Sequence, residues 1–189
     1  MNDLQKDNSI KPIETRYKGY RFRSRLEARW AVFFDALGIE WQYEPEGYVL
    51  EDGTWYLPDF WLPQIGKYVE VKGGNPTGGE QDKCGMLARA TGKDVWLTFG
   101  DIPYPGPDNA SGYIFPSDGG WDCYYWFTSC HMCGQFDITF GGRGARVKCG
   151  CDHSGHGNGD KCYNSDDPRI MEAYAIARSA RFEHGEVGR

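Results

Sequence analysis

Two strand-like runs joined by a short break constrain this chain most. Pro58-Asp59-Phe60-Trp61-Leu62-Pro63 and Lys67-Tyr68-Val69-Glu70-Val71-Lys72-Gly73 are rich in aromatic and β-branched residues, and Pro63 and Gly66 bracket the break between them. That pattern predicts two strands in a hairpin-like connection. Side chains alternate along a strand, so Glu70 and Lys72 share one face and Val71 takes the other. Val71 then packs into a core while the acid and the amine point at one spot. If the hairpin closes, Asp59 joins them from the neighbouring strand. Two carboxylates beside an ammonium make a site for a divalent metal and an anionic substrate. An acid and a lysine two apart on a strand are ordinarily a solvated face. Three details argue for more here. Asp59 follows a proline at the end of an aromatic run, its spacing to Glu70 suits adjacent strands, and Gly73-Gly74 lets backbone approach a ligand closely.

Residues 24–38 carry the marks of one amphipathic helix. Ser24 is an N-cap with Glu27 three residues on, Leu26, Trp30, Phe33, Phe34 and Leu37 recur at helical intervals, and Gly38 is a stop. Glu27 has two readings: the partner in a capping box, or a carboxylate at the helix start that projects toward the metal.

The ordered set Arg23-Ser24-Arg25-Leu26-Glu27-Ala28-Arg29-Trp30-Ala31, Tyr43-Glu44-Pro45, Leu57-Pro58-Asp59-Phe60 and Val69-Glu70-Val71-Lys72-Gly73 resembles the PD-(D/E)XK nuclease superfamily, most of all its small phage and bacterial members. The resemblance covers residues 14 to 103. It implies an α/β (α+β) fold, a mixed central sheet flanked by helices in a restriction-endonuclease-like core. It also implies that Asp59 and Glu70 bind Mg²⁺ (or Mn²⁺), that Lys72 orients or activates the attacking water, and that Glu27 completes the acidic site. DNA is the substrate it favours. The chemistry is coherent in its own right. A hard cation takes one or two carboxylates and keeps several waters, and it polarises a phosphoryl oxygen and lowers the pKa of a coordinated water.

The chain has 189 residues and a net charge of −6, which counts against a strongly basic nucleic-acid binder and leaves charge distribution to decide. Arg16, Lys18, Arg21, Arg23, Arg25 and Arg29 crowd into and just ahead of the Glu27 helix. They read either as a solvated face or as a phosphate track, and adjacency to Glu27 favours the track. Arg23 and Arg25, with Lys83 on a helix expected over 80–90, are the candidate substrate contacts. The Gly-rich stretch 73–79 lacks the Gly-Lys-Ser/Thr of a P-loop. No run is long enough to span a membrane and the N-terminus has no signal-peptide core. The expected location is cytoplasmic, the host cytoplasm if the protein is phage-encoded.

The expected layout is a flexible tail (1–13), the nuclease-like core (14–108), an aromatic-rich, zinc-ribbon-like appendage (109–165) and a C-terminal helix packed on the core or on a second subunit (166–189). In a reducing compartment, 7 Cys point to metal or free thiols rather than disulfides. Cys130-His131-Met132-Cys133-Gly134 has metal-knuckle spacing, and Cys149-Gly150-Cys151 follows a segment that reads as a hairpin of strands 135–140 and 145–148. Cys130, Cys133, Cys149 and Cys151 suit a structural zinc. The single residue between Cys149 and Cys151 leaves the fourth ligand open to His131, His153, His156 or Cys162. Cys84 and Cys123 read as core.

These readings point to a metal-dependent nuclease acting on DNA. The rival is a non-catalytic adaptor on a nuclease fold, such as a phage inhibitor of a host protein. A homodimer or a host partner is compatible with either.

Overall fold

The computed structural model describes residues 12–102, 112–141, 145–154 and 162–182. The tail before residue 12, the 103–108 boundary, the 155–160 loop, His156 and Lys161 lie outside them.

The chain opens with a hairpin, β1 (Thr15–Tyr17) against β2 (Tyr20–Phe22). Lys18 and Gly19 both take positive φ, 48° and 84°, the turn whose twist matches paired strands. α1 (Arg25–Ala36) follows, capped by Ser24, whose Oγ accepts from the Glu27 N–H at 3.1 Å. Its buried face carries Trp30, Phe33 and Phe34, each stabilising by about 1.5–3 kcal/mol on leaving water. Gly38, at φ 67°, lets the chain leave the helix.

β3 (Gln42–Tyr43) leads to a side hairpin of β4 (Tyr48–Val49) and β5 (Trp55–Tyr56). The aromatic run 55–60 is therefore not one strand. Pro58 lacks an N–H to give to a ladder, and the chain changes sheets there to enter β6 (Phe60–Leu62). β6 pairs antiparallel with β7 (Lys67–Lys72), Phe60 opposite Val69. A crossover through α2 (Gly78–Thr91) then sets β8 (Asp94–Phe99) parallel to β7. α2 starts with a Thr77–Glu80 capping box and stops at Gly92, φ 65°.

β9 (Gly112–Phe115), β10 (Asp122–Cys130) and β11 (Phe136–Phe140) extend the same sheet, in the order β11-β10-β9-β8-β7-β6-β3, and β12 (Tyr163–Asn164) adds to β10. The fold is mixed α+β, an eight-stranded mixed sheet with three helices among the described residues. β9, β10, β11 and β12 are thus joined to β8 by continuous strand pairing.

One hairpin differs from expectation. β11 pairs with β10, not with residues 145–148, of which only Arg146 bridges, to Cys162. The reason is that the knuckle is itself the hairpin turn. The Cys130 N–H donates to the Gln135 carbonyl at 2.8 Å, the Gly134 N–H to the Cys130 carbonyl at 2.8 Å, and Gly134 sits at φ 72°.

α3 (Pro168–Ser179), N-capped by Asp167, packs on α1 with Phe33 and Tyr174 stacked at 4.5 Å. Its small residues Ala173 and Ala177 are buried in the core that also holds Trp30, Val69, Val71 and Trp96. α2 covers the opposite face, where Cys84 and Leu87 meet Tyr68, Val95 and Leu97. This split follows strand alternation. A buried ion pair, Lys67 Nζ to Asp137 Oδ1 at 2.8 Å, links β7 to β11. Four strand spacings in a flat sheet would separate them by about 19 Å, so the sheet curls strongly to bring these two strands together.

Candidate active site and metal centre

Strand pairing assembles the acidic cleft. Asp59 stands one residue ahead of β6, so the Phe60–Val69 register sets it beside Glu70. The Asp59 N–H donates to Glu70 Oε2 at 3.4 Å, and the Val71 N–H donates to Asp59 Oδ2 at 2.8 Å. Lys72 Nζ donates to Glu70 Oε1 at 2.7 Å. Val71 turns into the core. Asp59, Glu70 and Lys72 are therefore one bonded set.

α1 presents Glu27 to the same cavity, of about 660 Å³, which Asp59 and Lys72 also line. Glu27 takes part in the cap of α1. Its Oε1 accepts from Ser24 Oγ at 2.7 Å while its Oε2 accepts from Tyr43 Oη at 2.6 Å and the Arg23 N–H at 3.1 Å. Glu27 thus ties down the helix start and still contributes negative charge at the cleft. Glu70 is not among the cavity-lining residues and reaches the site through its bond from Lys72.

The acids crowd one another. Asp59 and Glu70 are each 2% exposed and Glu27 7%. Burial, then the charges of Glu70 and Glu27, push the Asp59 carboxyl well above the usual carboxylate range, against Arg23 and the Val71 N–H. Burial works to lower Lys72, but Glu70, with Asp59 and Glu80, outweighs it and raises the ammonium's pKa. Lys72 is therefore a fixed positive charge. An oxygen-only donor set suits a hard dication such as Mg²⁺ or Mn²⁺.

The basic residues divide. Arg23 bonds Asp59 Oδ1 and, through Nε, Glu44 Oε1 at 2.9 Å. Lys18 pairs with Asp35, Arg21 with Glu14 and Arg29 with Asp101, so much of the proposed phosphate track is neutralised locally. Arg25 is exposed on the cavity wall. Lys83 lies on α2, where its charge acts on Asp52 and Glu80, and it does not line the cavity. Arg89 pairs with Glu51 at 2.5 Å, and Arg178 donates to the Ile102 carbonyl.

Sequence reasoning left Tyr43 and Glu44 without roles, although both belong to the segment that carried the resemblance. Tyr56 was missed. Burial first, then Glu70's charge, pushes its phenol up, so it lies against that acid. Nothing in an aromatic run marks which tyrosine will do this.

The second centre is the knuckle. The sulfurs of Cys130, Cys133, Cys149 and Cys151 all lie within 4.8 Å of one another, with Cys149 Sγ 3.5 Å from Cys130 Sγ. Zinc–sulfur bonds of about 2.3 Å place tetrahedral sulfurs about 3.8 Å apart. These four cysteines could hold a metal such as zinc, and the one-residue spacing of Cys149 and Cys151 does not keep Cys151 out. Burial works to raise the Cys130 thiol, but the N–H groups of Cys133 and Met132 bring it down to about 7. Hydrogen bonding to Cys133 and Cys149 pushes Cys151 up to about 12. The thiols thus share protons that a dication replaces. Cys84 is fully buried on the inner face of α2, as expected, and Cys123 is half-buried.

No helix among the described residues is long and apolar enough to cross a membrane. Comparison with family models, with curated proteins and with solved structures gives no match.

Proposed function

We propose that this chain is a metal-dependent nuclease that hydrolyses DNA phosphodiester bonds on a restriction-endonuclease-like core. One observation carries the reading: Asp59, Glu70 and Lys72 form a single bonded set beside a cavity that Glu27 enters from α1. A Mg²⁺ or Mn²⁺ ion held by Asp59 and Glu70 would supply Lewis-acid charge at the scissile phosphate and a more acidic bound water. Arg23 would have to swing off Asp59 for that oxygen to become a ligand, which would turn one end of its guanidinium, still held at Nε by Glu44, toward a phosphate in the cavity it lines. Lys72, kept protonated by its neighbours, stabilises negative charge developing on the phosphoryl oxygens. Glu27 holds Ser24 and the Arg23 backbone, and so fixes the wall that carries Arg23 and Arg25.

Incubating the protein with labelled duplex, single-stranded and branched DNA and with RNA, in Mg²⁺, Mn²⁺ or chelator, tests the reading. Metal-dependent DNA cleavage that fails in Glu70→Ala supports it. One observation favours the adaptor instead. Arg23 already satisfies Asp59, and local acids neutralise much of the basic stretch. Tight nucleic-acid binding with no cleavage in any metal would select that alternative.

A further inference from the structure

We propose that His131, His153 and Cys162 form a second metal site beside the four-cysteine cluster and take a zinc ion with two nitrogen ligands and one sulfur. One ligand atom from each of the three lies within 4.8 Å of the other two. A zinc ion bound by two imidazoles and a thiolate needs separations of about 3.3–3.6 Å, within reach of small side-chain rotations.

Strand pairing explains the convergence. β10 and β12 run antiparallel with Cys130 opposite Tyr163. His131 follows Cys130 and Cys162 precedes Tyr163, so the register brings them to the same end of the ladder. His131 is the first residue of the turn that follows β10. The imidazoles of His131 and His153 then meet with ring centroids 5.6 Å apart. Cys162 is fully buried below them, and His131 is exposed. The site is thus anchored inside and open outside.

His153 decides between one ion and two. Its Nε2 lies 3.5 Å from Cys149 Sγ and 3.8 Å from Cys130 Sγ, so it borders both groups. Four thiolates already complete a tetrahedral shell for the first zinc. That leaves His153 for the second, where two imidazoles and a thiolate form a donor set suited to zinc. Three protein ligands leave one position for water, so this ion exchanges more readily than the first. It clips the strand end that leads into α3 to the knuckle, closing the chain from 131 to 162.

Zinc content of the full, untagged chain, purified with zinc present and desalted, tests this. We expect two zinc ions per chain in the wild type and in Glu70→Ala, which excludes the acidic cleft as the second holder. We expect one in a His131→Ala, Cys162→Ser double variant. Cobalt titration of the wild type should show two tetrahedral centres, the second with the weaker sulfur-to-metal charge-transfer band, because it has one thiolate rather than four. One zinc in the wild type, two in the double variant, or a loss of one in Glu70→Ala would overturn the proposal. If the double variant fails to fold, the cobalt titration alone decides. Saturation at one equivalent overturns the site, and a distinct second equivalent supports it.

Discussion

The acidic cleft and the cysteine knuckle both gather metal-ligating side chains, but they solve the charge problem in opposite ways. The cleft draws Glu27, Asp59, Glu70 and Lys72 from α1, the β6 entry and β7, and the protein's own cations partly neutralise it, Arg23 on Asp59 and Lys72 on Glu70. The knuckle draws its sulfurs from one stretch, 130–151, and they have chiefly each other's protons to share. The lesson is that the protein's own cations answer the cleft's charge, whereas the knuckle's four sulfurs are grouped so that they could hold a metal such as zinc. The small cluster of Cys130, Val147 and Tyr163 is too little core to hold that end by itself.

The largest effect should come from breaking the comparison at the knuckle. Structural zinc contributes apparent free energies of about 10–16 kcal/mol in small zinc modules. A strong zinc chelator, or Cys130→Ser, should collapse hydrogen-exchange protection in β10, β11 and β12. Removing Mg²⁺ should leave exchange and near-UV circular dichroism unchanged. Equal insensitivity of both regions would erase the distinction.

Next is the link between β7 and β11. Lys67 and Asp137 are each 4% exposed at the side chain, and Asp137 also accepts from the Ile138 and Lys148 N–H groups. Lys67→Ala leaves a buried carboxylate short of its partner and should cost about 3–5 kcal/mol in urea unfolding. A Lys67→Met, Asp137→Leu pair should recover much of that. A loss under about 1 kcal/mol for Lys67→Ala would mean that the ion pair does not tie the two strands together.

What the sequence could and could not disclose follows the same division. Strand alternation made Glu70, Lys72 and Val71 legible, because period two needs only local residues. The α1 cap and core stripe were legible for the same reason. The break of the 55–60 run needed knowledge of which sheet each half joins. The knuckle's second task as the β10–β11 turn was hidden, because ligand spacing and hairpin spacing coincide in Cys130 to Gly134. Partners brought together by sheet curl, Lys67 with Asp137 above all, leave no local signal. Nor does the neutralisation of Lys18, Arg21, Arg23 and Arg29 by acids from other segments.

A smaller effect sharpens the cleft's half. Mg²⁺ at a hundredfold its dissociation constant should stabilise the wild type by about 2.7 kcal/mol, and Glu70→Ala by nearly nothing. Thermal unfolding with and without the ion checks this. An equal shift in both would place the ion elsewhere.

The smallest effect lies outside both centres. Hydrogen bonding from Arg169, helped by Ser129 and opposed by burial, brings Asp167 down to about 2. A depressed carboxyl gives stability that is full above its unfolded value near pH 4 and is lost as pH falls toward about 2. Asp167→Ala should remove that acid limb and cost about 1 kcal/mol at neutral pH through the lost α3 cap. An unchanged acid limb in the variant would assign the loss to other carboxylates.

The most direct measurement for the central claim is cleavage of labelled DNA by the wild type, Asp59→Ala, Glu70→Ala and Lys72→Ala, with Mg²⁺ or Mn²⁺ and with chelator. The account predicts metal-dependent cleavage by the wild type. It predicts a fall of about 10²–10³-fold or more in each variant, with knuckle zinc and circular dichroism unchanged. Cleavage by Glu70→Ala at the wild-type rate would contradict it. So would a wild type that binds nucleic acid tightly yet cuts none in any metal.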